Sequence, residues 1–318
     1  MKHKKQHWVP RSYLAAWCDP ATPEGQTPYV WRFAKDGKSS KRKAPKNIFH
    51  ETDLYTISLD DGRRELAVEQ GLAELESEFV RIRNDVLATA KSLEGRDHML
   101  LCAYVAAMQA RSLPHLNHWK KQFQGALARM DEMRKSMRAR PPEERAARRA
   151  YPPASSTTSA SYEDFKTSVE GPVAQWVVFA IETQLPWLIQ MRLRVLTTDD
   201  DVGFITSDRP CVWFDPEAYR LPWHLRSPGL AVSTIEITLP ISPTQMLLLT
   251  HGTEGGGHVP VPRWQVDELN RRTRFHADEY FVVNRNETKR VWFKSGRPLR
   301  NAWRQHRRSK TLGRSAGA

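Results

Sequence analysis

The chain has 318 residues, 40% of them hydrophobic, and a formal charge of +13. That length suits one large domain or two ordinary ones, and the longest apolar run, residues 99–110, falls short of the roughly 18 residues of a membrane span. Three scattered cysteines, Cys18, Cys102 and Cys211, give neither a disulfide framework nor metal-ligand spacing, and the basic start MKHKKQHW has no apolar stretch behind it to act as a signal peptide, so the expectation is a soluble cytoplasmic protein of bacterial type with no membrane partner.

In chain order, HWVPRSYLAAW (7–17) predicts a short helix, with Pro10 at its first position and Tyr13, Leu14 and Trp17 forming one apolar stripe. CDPATPEGQTP (18–28) reads as a loop, YVWRFAK as a strand closed by an Asp-Gly turn, and KSSKRKAPK (38–46) as a basic loop. NIFHETDLYTISLDDGRREL then reads as strand, turn and helix start. The helix over about 65–91 is the clearest element: Leu72, Leu75, Phe79, Ile82 and Val86 keep a 3-4-3-4 spacing. Glu65, Glu69, Glu76 and Arg83 fall along one edge of that stripe. A helix over 97–112 is apolar nearly all round and should lie in the core, with Gln109 and Arg111 at its far end. A third helix spans about 115–138.

Residues 139–160 are poor in large hydrophobes and rich in Pro, Ser and Ala, which marks a linker or excursion. A helix over about 162–190 follows, with breaks expected at Gly171-Pro172 and Pro186. MRLRVLTT, VGFITSD, TIEITLPI and QMLLLTHG read as strands, 263–276 as a helix and EYFVVN as a last strand. The expected fold class is α+β: a central helical core, a small N-terminal β piece and a β-rich C-terminal third. Residues 1–286 form a single domain in this reading, and 287–318 a basic extension.

The positive charge is concentrated at the two ends. Residues 1–46 carry net +8 and 285–318 net +10, while the body between them is net −5. Such ends can hold phosphate backbones without sequence preference, or can be solvated tails.

Four clusters could carry chemistry, and each has a plain structural alternative. His7 with Arg11 offers a group that titrates near neutrality, or a helix-capping imidazole. Glu69 and Glu76, two helical turns apart, could hold a divalent metal or orient a histidine or arginine, or be the solvated flank of a helix. Gln109 and Arg111 end a core helix. A buried arginine there needs a partner, for which Glu69 or Glu76 would serve, and could also clamp an anion. Ser207 and Asp208 in GFITSDRP close a strand, as site residues or as a turn before Pro210. No phosphate-binding glycine loop, dinucleotide fingerprint or nucleophile elbow is present. HGTEGGGH (251–258) reads as a flexible loop, and HLNH (115–118) lacks a third metal ligand nearby.

Taken in order, KKQHWVPRSYLAAW, KNIFHETDLYT, the spaced Glu69 and Glu76, MQARS, ITSDRP, TLPISPTQMLLL and Asn270 resemble an uncharacterised bacterial family, a domain of unknown function. The resemblance runs from residue 4 to about 284 and implies that these polar positions share a role. It points to a pocket formed by His7, Glu69, Glu76 and Arg111, with Ser207 and Asp208 at its rim.

The function expected is a nucleic-acid-acting enzyme, a candidate nuclease of defence or mobile-element type. In it, His7, Glu69, Glu76, Arg111 and Asp208 are catalytic and Arg11, Gln109, Ser207 and Asn270 bind substrate. A divalent metal is the one cofactor considered, and nucleic acid the partner of the basic ends. The alternatives are a non-catalytic nucleic-acid or regulatory binding protein and an enzyme acting on a small anionic metabolite.

Overall fold

Helix α1 (Arg11–Leu14) begins one residue after Pro10, whose carbonyl accepts the Leu14 N–H at 3.0 Å. It continues into a 3₁₀ turn, Ala15–Trp17, so that Tyr13, Leu14 and Trp17 are all buried. The computed structural model describes residues 5–58, 63–144, 161–222, 226, 228–252 and 256–294, apart from the side chains of 113–115. The excursion expected at 139–160 and the basic extension expected at 287–318 therefore lie largely outside the described residues.

Three strands frame the start of the chain. β1 (Lys5–His7) will pair with a later segment, while β2 (Val30–Ala34) and β3 (Ser40–Lys43) form an antiparallel hairpin. The KSSKRKAPK segment expected as a loop thus contains a strand. Its Lys and Arg residues hid it, because a sheet edge tolerates charge that a central strand would not. β4 (His50–Thr52) pairs antiparallel with β1, and β5 (Ile57–Ser58) with β6 (Arg64–Glu65).

The helical middle follows. α2 (Ala67–Arg81) runs on into a π-helical turn, Ile82–Leu87, then come α3 (Gly95–Ala110) and α4 (Leu113–Ala139). α5 (Tyr162–Glu170) ends at Gly171, as the sequence suggested, whereas α6 (Val173–Gln190) carries Pro186 inside it without ending there. α3 is buried along most of its length between α2 and α6, and Phe79 of α2 stacks on its Tyr104 with ring centroids 3.8 Å apart. An all-round apolar helix has no solvated face to offer, so burial between neighbours is its stable position.

The C-terminal third is built on a five-stranded sheet in the order β12-β7-β11-β10-β9. Its members are β7 (Arg192–Thr197), β9 (Val212–Phe214), β10 (Glu236–Ser242), β11 (Gln245–Thr250) and β12 (Gly257–Pro260). Only the β12–β7 pair is parallel. Side chains alternate between its two faces. Ile237, Leu239, Leu247 and Leu249 pack into the core that contains α1 and α3. Leu196, Met246 and Leu248 pack against Val266 and Leu269 of α7 (Arg263–His276). β12 begins at Gly257, so the end of the HGTEGGGH segment is strand rather than loop. A second sheet, in the order β3-β2-β13-β8, joins the N-terminal hairpin to β8 (Thr206–Ser207) and β13 (Tyr280–Val283). The chain is therefore α+β, with helices in the middle and strands toward both ends.

Gly203 marks the tightest backbone approach in this half. Its φ is +68°, and an added Cβ would collide with the carbonyl of Pro243, the group that accepts the Phe204 N–H at 2.7 Å. Replacing it with alanine combines an unfavourable φ with a backbone clash. Gly203→Ala is expected to lower the unfolding free energy by about 2 kcal/mol or more, read from the denaturant midpoint at unchanged slope.

Candidate functional site

His7 is placed by two short elements. As the last residue of β1 it lies opposite His50 of β4, with the two rings edge to face and their centroids 5.2 Å apart. Two residues later Val9 is buried and Pro10 turns the chain into α1, which sets Arg11 and Ser12 beside the histidine. α2 runs past this segment and presents Glu69 and Glu76, seven residues apart and on one side as their spacing requires. Arg111, the residue after α3, enters from the core and is only 1% exposed. His7, Arg11, Glu69, Glu76 and Arg111 all line a single cavity of about 820 Å³.

The charges in this cavity are partly committed to the protein. Arg111 donates from Nη2 to Glu76 Oε1 at 2.8 Å and from Nε to the Trp8 carbonyl at 3.0 Å. This is the ion pair that a buried arginine at the end of a core helix demands. Glu76 also accepts from Ser12 Oγ at 3.4 Å. Glu69 Oε2 accepts from Gln6 Nε2 at 2.8 Å, and Gln6 Oε1 in turn accepts the Tyr55 N–H at 2.5 Å. Arg11 and Lys46 bring positive charge to the same wall. With two of its donors used on the protein, Arg111 is a held charge rather than a free two-pronged clamp.

His7 differs from its neighbours. Its Nε2 is buried and has no hydrogen-bond partner among the described residues. Burial, the neighbouring His50 and the charge of Arg11 push its pKa down to about 4, against a smaller opposing effect from a hydrogen bond to the Lys46 backbone. At neutral pH the ring is therefore uncharged, and the buried Nε2 belongs to a residue of the cavity wall. Burial also lowers the pKa of His50, with help from Lys5.

Four of the residues singled out from the sequence stand elsewhere. Asp208 accepts the N–H groups of Asp278, Glu279 and Tyr280, each at 2.8 Å, and so anchors the entry to β13. Burial raises its pKa while those three donors hold it down. Ser207 Oγ accepts the Arg209 N–H at 3.1 Å, the local turn that Ser before Pro can make. Asn270 bridges the Ile205 N–H and the Gly203 carbonyl at 3.0 and 2.8 Å. Gln109 is buried in α3 and is not part of the cavity lining. The expected Ser207–Asp208 rim is thus replaced by residues from the N-terminal third.

Lys46, Ser12, Tyr55 and Gln6 belong to the site without having stood out in the sequence. A glutamine next to HWVP carries no periodic signal, and Lys46 was merged into a basic run. Both carboxylates have protein donors, and among the described residues no group of three or more His, Cys, Asp or Glu side chains is placed to hold a metal ion. His118 of the HLNH segment lies on α4, away from this cavity.

A family model described as "Protein of unknown function (DUF4238)" matches residues 5–288, and the chain belongs to that family. Neither curated proteins nor solved structures yield a match to this chain.

Removing one member of a buried ion pair leaves the other uncompensated, at a cost of about 3 kcal/mol. Glu76→Ala is expected to lose roughly that much stability in equilibrium unfolding. Asp208→Ala, which strips three N–H groups of their acceptor, should lose about as much. If Asp208→Ala abolished ligand binding at the cavity while leaving stability unchanged, its anchoring role would be refuted.

Proposed function

We propose that this cavity is the active site of a nucleic-acid-acting enzyme that cleaves or transfers phosphodiester bonds. The carrying observation is the buried, unpartnered Nε2 of an uncharged His7 within reach of positive side chains. A buried acceptor left without a donor is destabilising in the free protein. An incoming hydroxyl group would satisfy it by donating its proton, which is the first event of general-base catalysis.

In this reading His7 takes the proton of the attacking hydroxyl, the new O–P bond forms, and the bond to the leaving oxygen breaks. The proton then held by His7 is available to that oxygen. Arg11 and Lys46 bear on the charge that develops on the phosphoryl oxygens. Glu76 holds Arg111, and Gln6 holds Glu69 in the cavity wall. The low pKa keeps the base form fully populated at neutral pH while lowering its affinity for the proton it takes. The cavity volume favours a second reading, an enzyme acting on a small anionic metabolite, because about 820 Å³ is the size of an ordinary small-ligand pocket. The two readings part on whether a mononucleotide is turned over as well as an oligonucleotide.

His7→Ala is expected to lower kcat by about 10²- to 10⁴-fold on labelled oligonucleotides, with its far-ultraviolet circular dichroism unchanged. Because the base form must be populated and the pKa is about 4, the acid limb of the pH–rate profile should fall near pH 4 rather than near 6.5. The sign for stability follows from the same shift. Between pH 6.5 and about 4 the unfolded chain takes up a proton at residue 7 that the folded chain does not. Stability should therefore fall as pH drops through that window, and less steeply in His7→Ala than in the wild type. A cleavage activity that His7→Ala retains in full would overturn the assignment.

A further inference from the structure

One surface adjoins the cavity on three separate stretches of chain. Arg42 of β3 lies over two rings at once, with its guanidinium carbon 5.0 Å from the centre of Tyr29 and 4.9 Å from that of Trp31. The two aromatic rings meet edge to face at 6.0 Å. Asp19 fixes the base of this group by accepting the Trp31 indole N–H at 2.7 Å. Asp19 and Tyr29 each follow a residue of the cavity wall, and the chain enters that wall again just after β3. Cys18 precedes Asp19, Thr27 and Pro28 precede Tyr29, and Ala44, Pro45, Lys46 and Asn47 follow β3. The stack therefore adjoins segments that line the cavity.

Three properties define what it would recognise. Arg42 is exposed and Tyr29 half-buried, so a flat group can reach them. The flanking stretch 38–46 holds Lys38, Lys41, Arg42, Lys43 and Lys46 and no acidic residue. Among the described residues β3 is an edge strand, paired only with β2. Arg42 lies opposite Trp31 on one face of the sheet, and Lys41 and Lys43 project to the other face, opposite Arg32 and Val30. Positive charge thus lies along this edge strand on both faces of the sheet.

We infer that the Tyr29–Arg42–Trp31 stack is a base-stacking platform that seats an unpaired nucleotide of a single-stranded nucleic acid beside the His7 cavity. This rests on the phosphodiester reading of that cavity and narrows its substrate class. Aromatic rings and arginine planes accept the face of any base, but only when the base is not already stacked and paired within a duplex. Lysines on either side of the edge would follow the backbone of such a strand.

The test uses fluorescence anisotropy with labelled 12-nucleotide oligo(U), oligo(dT) and a 12-base-pair duplex, in the full chain carrying His7→Ala so that the probe stays intact. Both single strands should bind more tightly than the duplex, and the RNA and DNA arms show whether the 2′-hydroxyl matters. Arg42→Ala should weaken single-strand binding by about tenfold. Lys41→Glu with Lys43→Glu, which leaves the stack in place, should weaken it further and lower the slope of log K against log salt by about 1 or more. Thermal unfolding of each variant checks that it is folded. Equal affinity of Arg42→Ala and its parent, or a duplex bound as tightly as a single strand, overturns the platform. Cleavage by the wild-type chain is scored separately. If Arg42→Ala loses binding but the wild type cleaves nothing, the platform stands and the enzyme reading falls. If the wild type cleaves but Arg42→Ala binds and cleaves unimpaired, the reverse holds.

Discussion

The structure depends on how the segment from Trp8 to Trp17 is held between the helices and the sheets. On the sheet side, Trp8 Nε1 donates to the Asp208 carbonyl at 3.2 Å, Tyr13 Oη to that of Pro240 at 2.6 Å, and Trp17 Nε1 to that of Phe204 at 2.8 Å. On the helix side, Arg111 holds the Trp8 carbonyl, and Arg83 reaches the carbonyls of Ser12 and Tyr13 at 3.3 and 3.4 Å. Apolar burial alone is non-directional and would let the two layers slide. Polar tips on buried aromatic rings remove that freedom, because each must find its acceptor. The Arg83 guanidinium adds donors to the last carbonyls of this four-residue helix, that of Tyr13 also taking a backbone N–H where the 3₁₀ turn begins. His7 precedes this clasped segment directly, so its position is fixed by contacts it does not itself make.

That placement accounts for the electrostatics of the cavity. Arg111 lowers the proton affinity of His7, as do Arg11 and His50, and burial does most. Glu76 sits against Arg111, and without the carboxylate Arg111 would be an uncompensated buried charge. The positive side chains left to meet an anion, Lys5, Arg11 and Lys46, are those near solvent, where a charge costs little to keep.

What was legible in the sequence follows from how local each signal is. The stripe of α2, the shared side of Glu69 and Glu76, and the need of Arg111 for an acidic partner all rest on helical periodicity and on the cost of burying charge. The structure has each of them. The pairing of β1 with β4 rests on three residues per strand and has no periodic signature, so His50 could not be placed beside His7 in advance. β3 was hidden by its lysines, and the π-helical turn that carries Arg83 looks like a continuation of α2 in any pattern of period 3.6. Residues 203–210 and Asn270 misled for a different reason. Ser, Asp and Asn are the side chains of turns and backbone anchors as much as of active sites, and sequence does not separate the two uses.

Asp208 shows what this implies for a polar motif in such a fold. Its carboxylate gathers three N–H groups at the start of β13, and its own carbonyl accepts the Trp8 indole, 200 positions earlier in the chain. One residue thus ties the second sheet to the segment that carries His7. The segment that carries His7 is fixed by distant parts of the chain, since Tyr13 reaches Thr206 and Pro240 across 193 and 227 positions. A polar side chain far from the chemistry can therefore matter to the site through a backbone it holds, and the distinction between anchoring and catalytic residues lies in geometry rather than in residue type.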